Sequence, residues 1–289
     1  MKLIKPSFEI IPQEDLFQHI EKCGRVAYKS EDKITPDSAR KFVNMLLKSE
    51  HHSPLEHGTV KFKYYVGSVM SKYYNRVIPN PYSKTIVSSE EEKTVVYVTT
   101  NLRVIAEKEE LRDRFSLIVG EFIKNKKVIF EEDDNFPKRI TVKFILSRAA
   151  AQQFTRHRKF SFTMESQRYC NYNKDKFGNE ITFIMPQWYE NTKYYDYHLL
   201  KEFEEALTSI EKLYMFYISK GLKPQEARAI LPNATKTELV MTGFIEDWQH
   251  FFDKRCSFLA KTGKPDDEAA YLADGLYGEF VKLGYIKKD

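Results

Sequence analysis

Cysteine is scarce in this sequence. Three occur in 289 residues, Cys23, Cys170 and Cys256. They lie far apart and form no C-x-x-C pair, which argues against a disulfide framework and a thiolate zinc site. No run approaches the roughly 20 apolar residues that span a bilayer. The opening MKLIKPSFEIIPQEDLF has no apolar stretch long enough for export, so the expected location is cytoplasmic. His51, His52 and His57 crowd together, but not as H-E-x-x-H, and no metal is expected. Internal repeats and low-complexity linkers are missing. Charge of one sign is not in large excess either: 46 basic against 41 acidic residues give +5. Such a mild bias suits anionic small ligands as well as nucleic acid.

What is present is a globular composition, 42% hydrophobic and 14% aromatic. Residues 35–49 place Ala39, Phe42, Val43, Leu46 and Leu47 on one helical face, with Pro36 just inside the start. Residues 59–66 (TVKFKYYV) alternate as a half-buried strand. Residues 141–156 read as a strand running into an alanine-rich helix. A long amphipathic helix is expected over 194–220, capped by Gly221. A short helix should run from Pro224 to Pro232, another over about 237–255, and a last one over about 265–283. The fold expected is α+β: a central curved, mixed or antiparallel sheet with flanking helices and a helix-rich C-terminal half. It forms one domain over residues 1–289, with an insertion at about 67–137.

The densest chemistry lies in Gln153 to Tyr169, QFTRHRKFSFTMESQRY. Arg156, Arg158 and Arg168 offer planar forks suited to phosphates and to the carbonyl edges of flat rings. His157, between two arginines, should have its protonated form disfavoured. Ser161, Ser166 and nearby backbone N–H groups can hold a phosphate or a pyrimidine edge. The residues alone leave open a solvated basic patch or a nucleic-acid contact. Glu246, His250 and Lys254 share one helix face by their spacing of four.

RHRKFSFTMESQRY resembles the signature of the flavin-dependent thymidylate synthases: R-H-R, seven residues, Ser, then Arg two further on. Here these are Arg156, His157, Arg158, Ser166 and Arg168. Three further segments are similar to the family's in the same order. They are Arg25-Val26-Ala27-Tyr28, then His51 to His57 (HHSPLEH), then Ala227 to Pro232 (ARAILP) leading to His250 to Arg255 (HFFDKR). The resemblance covers most of residues 15–66 and 140–285.

It implies an enzyme that methylates dUMP to dTMP with FAD, methylenetetrahydrofolate and NADPH. The active sites of its homotetramer would be built from several chains, with no nucleic-acid or membrane partner. By position, Ser53, Arg156, His157, Arg158 and His250 would meet FAD. Gln153, Arg156, Ser166, Gln167, Arg168, Arg228 and Arg255 would hold dUMP, with Arg255 as the catalytic residue beside the uracil imide. No cysteine has the Pro-Cys-His setting of the other thymidylate synthase class. The chain departs from the family at Thr163-Met164, where Asn-Glu is common and the carboxylate comes one residue later as Glu165. It departs again at Phe244 and Glu246, where polar flavin contacts are usual. Such departures leave a flavin-binding homologue without turnover as one alternative; a nucleotide- or RNA-binding protein using the basic cluster is another.

Overall fold

The computed structural model describes residues 1–68, 71, 80–90, 92–107, 134–190, 197–261 and 263–287. Much of the expected insertion therefore falls outside the described residues, as do residues 194–196 at the start of the expected long helix. The strands are β1 (Lys2–Ile4), β2 (Ser7–Ile11), β3 (Thr59–Tyr65), β4 (Lys84–Glu90), β5 (Lys93–Asn101), β6 (Arg139–Ser147), β7 (Ser161–Met164), β8 (Thr182–Ile184) and β9 (Lys236–Phe244). The helices are α1 (Leu16–Arg25), α2 (Ser38–Lys48), α3 (Leu102–Glu107), α4 (Arg148–Phe154), α5 (Tyr197–Ser219), α6 (Ile245–Arg255) and α7 (Asp267–Lys282), with a short turn of helix at Pro224–Ala227. The architecture is α+β, as the sequence implied.

The central sheet has four antiparallel strands in the order β2-β6-β9-β7. Alternation along a strand sends successive side chains to opposite faces. In β6, Ile140, Val142, Phe144 and Leu146 go to one face. Leu239 and Met241 of β9 join them against Trp248, Phe251 and Phe252 of α6 and Leu272, Leu276 and Phe280 of α7. This is the main core. Side-chain caps start the helices around it. Ser147 accepts a hydrogen bond from Ala150 N, and Asp266 accepts from Glu268 N and Ala269 N.

The second face is polar and buried. Thr141 of β6 stands opposite Thr242 of β9, their hydroxyls 2.8 Å apart. Thr141 also bonds His19 Nε2 of α1 at 3.0 Å. Thr242 bonds His57 Nδ1 at 2.7 Å, and His57 Nε2 reaches Thr163 of β7 at 2.9 Å. One hydrogen-bonded line thus joins α1, two central strands, the Ser53–His57 turn and β7. Towards the other end of β9, Glu238 takes Lys29, Lys143 and Lys236, and Lys236 also bonds Glu165 at 2.8 Å. Burial alone would raise the Glu238 carboxyl, but Lys236 and Lys29 hold it at about 2.

One expectation changes here. Residues 237–255 are not one helix: β9 occupies Lys236–Phe244 and only Ile245–Arg255 is helical. The run TELVMTGF is nearly all buried, so it has no helical stripe, and its strand alternation is masked by burial on both faces. His57, close to His51 and His52 in the sequence, parts from them in space: His51 is exposed, and His57 is fully buried between sheet and turn.

β3 pairs with β5 and not with the central sheet, giving a separate three-stranded sheet β3-β5-β4. Val96 and Val98 from it, with Leu102 of α3, pack with Leu16 and Ile20 of α1 and Val43 of α2 in a second core. Residues 95–105 of the expected insertion are thus built into the body of the protein. Among the described residues no helix is long and apolar enough to cross a membrane.

Burial pushes His19 down from 6.5 to about 4, the largest of several influences. The unfolded imidazole takes a proton between these values that the folded one refuses. Stability is therefore full above pH 6.5 and falls as pH drops towards 4, by about 3 kcal/mol from His19 alone. Denaturant titrations across that window should record the loss, and His19→Asn should make it smaller, the rest coming from other histidines held down by burial, such as His157. His57→Ala strands the buried Thr163 hydroxyl, takes one of the two partners of Thr242 and leaves a cavity, and should cost about 3 kcal/mol or more in the same assay.

Candidate active site

The R-H-R turn follows α4 directly. His157 N donates to Phe154 O at 3.1 Å and Phe160 N to His157 O at 3.1 Å, which folds the segment back on itself. Phe160 anchors it. Its ring lies 4.6 Å from Trp248 and covers Gly243, where a Cβ would come within 2.5 Å of the ring. Phe154 packs edge-on against Phe251 at 4.9 Å and against Phe144 at 5.1 Å. Such aromatic pairs add about 0.5–1.5 kcal/mol each beyond burial. They lock the end of α4 to α6.

On α6, Trp248, Phe251 and Phe252 point into the core while His250 and Lys254 point outward. Arg255 sits on the inward side at the last turn and emerges half-buried beside α4. Its guanidinium is held at three atoms: Nε donates to His157 Nε2 at 3.1 Å, Nη1 to Gln153 Oε1 at 2.9 Å, and Nη2 to Gln153 O at 3.0 Å. An imidazole nitrogen that accepts carries no proton, so His157 is neutral with its proton on Nδ1. Burial first, then Arg255 and His250, press His157 down to about 4. The cation that matters comes from α6 and not from the flanking arginines.

His157, His250 and Arg255 line a cleft of about 620 Å³ with Arg156, Arg158 and Lys254. Arg156, Arg158 and Lys254 have no ion-pair partner among the described residues, and Asp247 is the carboxylate in the lining. The cleft is therefore suited to an anion. Arg255 retains N–H groups beyond the three in use, and these can meet a ligand.

Other expected residues stand elsewhere. Ser53 lines a larger cleft of about 1010 Å³, with Arg25, Lys41 and Met164. Ser166 N donates to Ala27 O at 3.0 Å, and Tyr169 stacks tilted on Tyr28 at 5.0 Å, so the Ser166–Arg168 loop borders that cleft. Arg168 is exposed, its guanidinium 5.5 Å from the Tyr169 ring centroid. Gln167 is half-buried beside Tyr172. Arg228 is exposed at the start of the turn Arg228–Ile230, in neither lining. One chain thus gathers Gln153, Arg156, His157, Arg158, His250 and Arg255, but not Ser53, Ser166, Gln167, Arg168 or Arg228. The shifted carboxylate, Glu165, is buried on Lys236 and faces neither cleft.

All three cysteines are buried and unbridged. Burial pushes Cys23 and Cys170 up to about 12 and Cys256 higher still. None offers a thiolate at neutral pH. Among the described residues no group of His, Cys, Asp and Glu is placed to hold a metal.

Fold and cleft together define an α+β protein with a cationic, ring-sized cleft built on two helix ends. The thymidylate synthase complementing protein family model matches residues 138–283, just over half of the sequence. The chain belongs to that family. Among relatives, the flavin-dependent thymidylate synthase of Pyrococcus abyssi is 33% identical over 109 residues, covering 38% of this chain and 42% of its own length. That of Synechocystis is 31% identical over 142 residues, covering 48% and 65%. Matches thus span less than two thirds of these relatives. A crystal structure of the UMP/dUMP methylase PolB from Streptomyces cacaoi, bound with 5-Br dUMP, aligns over 98% of this chain and 93% of its own. It does so at a TM-score of 0.47 and 16% identity.

The Arg255–His157 bond predicts that 15N NMR will find His157 neutral, as the Nδ1–H tautomer, down to about pH 5. Arg255→Gln should raise its pKa. Thiol reagent at pH 8 should label the native protein slowly and the unfolded protein at all three cysteines.

Proposed function

We propose that this chain is a flavin-dependent thymidylate synthase of the cytoplasm. It would methylate dUMP reductively to dTMP, with methylenetetrahydrofolate as carbon donor and NADPH as reductant. The observation that carries the reading is the Arg255 guanidinium held by a neutral histidine and Gln153 at the base of a cationic cleft. A pyrimidine that is activated without a covalent enzyme nucleophile needs a fixed positive group where negative charge develops. Arg255 is such a group, and the protonated, buried thiols leave no alternative nucleophile among the cysteines.

The residues fit a flavin. Arg156 and Arg158 carry unpaired charge for its diphosphate, and His157 and His250 present rings to its flat system, their centroids 6.2 Å apart. When bound, the flavin supplies the hydride that completes the methyl group. The protein's own part is to orient the rings and to keep Arg255 aimed. Gln153 would act on dUMP through Arg255, whose two Nη atoms it holds. Ser166, Gln167, Arg168 and Arg228 would bind the nucleotide, and Ser53 would add a flavin contact. Because these stand apart from the Arg255 cleft in one chain, a homotetramer that apposes the two clefts completes the site. Exposed apolar side chains on α5, Leu199, Leu213 and Phe216, suit such association.

One observation favours a second reading, a homologue that binds flavin without turnover. Met164 lines the larger cleft where the family commonly has a carboxylate, and Glu165 is committed to Lys236.

The purified protein should be yellow, and NADPH oxidation should yield dTMP only with dUMP and the folate present. Arg255→Ala should lower kcat about 100-fold or more while the protein stays yellow, and Arg168→Ala should chiefly raise the KM for dUMP. A yellow protein that makes no dTMP supports the second reading, and a colourless one that cannot be reconstituted with FAD overturns both.

A further inference from the structure

The three-stranded sheet β3-β5-β4 lies outside residues 138–283, yet it reaches the candidate site. Lys84 opens β4. Its Nζ donates to Glu246 Oε2 at 2.7 Å, lies 3.9 Å from Asp247 Oδ2, and stands 4.7 Å from the Phe244 ring centroid. These partners are the end of β9 and the first turn of α6. Asp247 is buried and belongs to the cleft lining, and its other oxygen is 3.8 Å from Lys159, which follows the R-H-R turn. Glu246 lies one helical turn before His250, on the face that carries His250 and Lys254.

Two carboxylates therefore stand at the rim of a cleft whose remaining charges are cationic. Both are within a Debye length of about 8 Å, at physiological salt, of groups lining it. Asp247 also meets the mostly exposed Lys159 at 3.8 Å, about as near as Lys84, and the charge of the buried Arg139; neither of these is paired with Glu246. Lys84 is the cation on both.

We propose that Lys84 is an affinity-determining residue for the cleft. It cancels the Glu246 and Asp247 carboxylates, which would otherwise repel the phosphates of a bound nucleotide cofactor. The proposal rests on the reading that this cleft takes a phosphate-bearing ligand. It assigns to the sheet outside the family match a share in the site.

The test is a double-mutant cycle on the full chain, with FAD titrated by fluorescence and inorganic pyrophosphate by calorimetry. Lys84→Met should weaken both probes roughly fivefold at low salt, and the loss should shrink in high salt. Lys84→Arg should bind like the parent. Adding Glu246→Gln to Lys84→Met should restore most of the affinity, which a merely structural role for Lys84 would not produce. Unchanged affinity in Lys84→Met, or failure of Glu246→Gln to restore it, overturns the proposal. A parent that binds pyrophosphate but not FAD removes the flavin reading, and the pyrophosphate arm then decides the role of Lys84. A parent that binds neither probe removes both.

Discussion

A guanidinium can donate a hydrogen bond to an imidazole only while that imidazole is neutral, and the Arg255–His157 pair sets this condition for everything around it. It is met by burial more than by charge. His157 lies against Phe251, and Phe160 closes the turn behind it. The aromatic packing of α4 on α6 thus has an electrostatic result: it keeps a histidine uncharged amid arginines, so that Arg255 has an acceptor where a cation would have repelled it.

The central sheet makes that packing possible by having two unlike faces. Its apolar face carries α6 and α7 and hence Arg255. Its polar face carries α1 and the Ser53–His57 turn, whose far side walls the larger cleft. β9 serves both, with Leu239 and Met241 on one side and Glu238 and Thr242 on the other. The HHSPLEH segment also has two roles. Ser53 is left at the surface, while His57 ties the turn to two strands through threonine hydroxyls.

Much of the candidate site was legible because rare residues at fixed spacing mark it: Arg156, His157, Arg158 and Arg255 need no tertiary information to be noticed. The α+β class, α2, the strand leading into α4, and α5 were legible from periodicity. β9 was not, because a strand buried on both faces loses the alternation that would betray it, and its Thr and Val were absorbed into a helical pattern. That error hid the threonine line and with it the true place of His57. Lys84 was beyond reach for another reason. It stands 162 positions from Glu246, in a stretch without motif, and only the docking of one sheet on α6 makes it part of the site.

The pairing of Thr141 with Thr242 has a consequence for how this chain can change length. Slipping β9 by one residue would carry Thr242 and Glu238 into the aromatic core and turn Leu239 and Met241 towards the histidines. Insertions or deletions between residues 236 and 255 would therefore disturb both clefts at once. The sheet β3-β5-β4, which the family model does not include, is hydrogen-bonded within itself and not to β9. A change of length along β9 is thus felt on both faces of the central sheet.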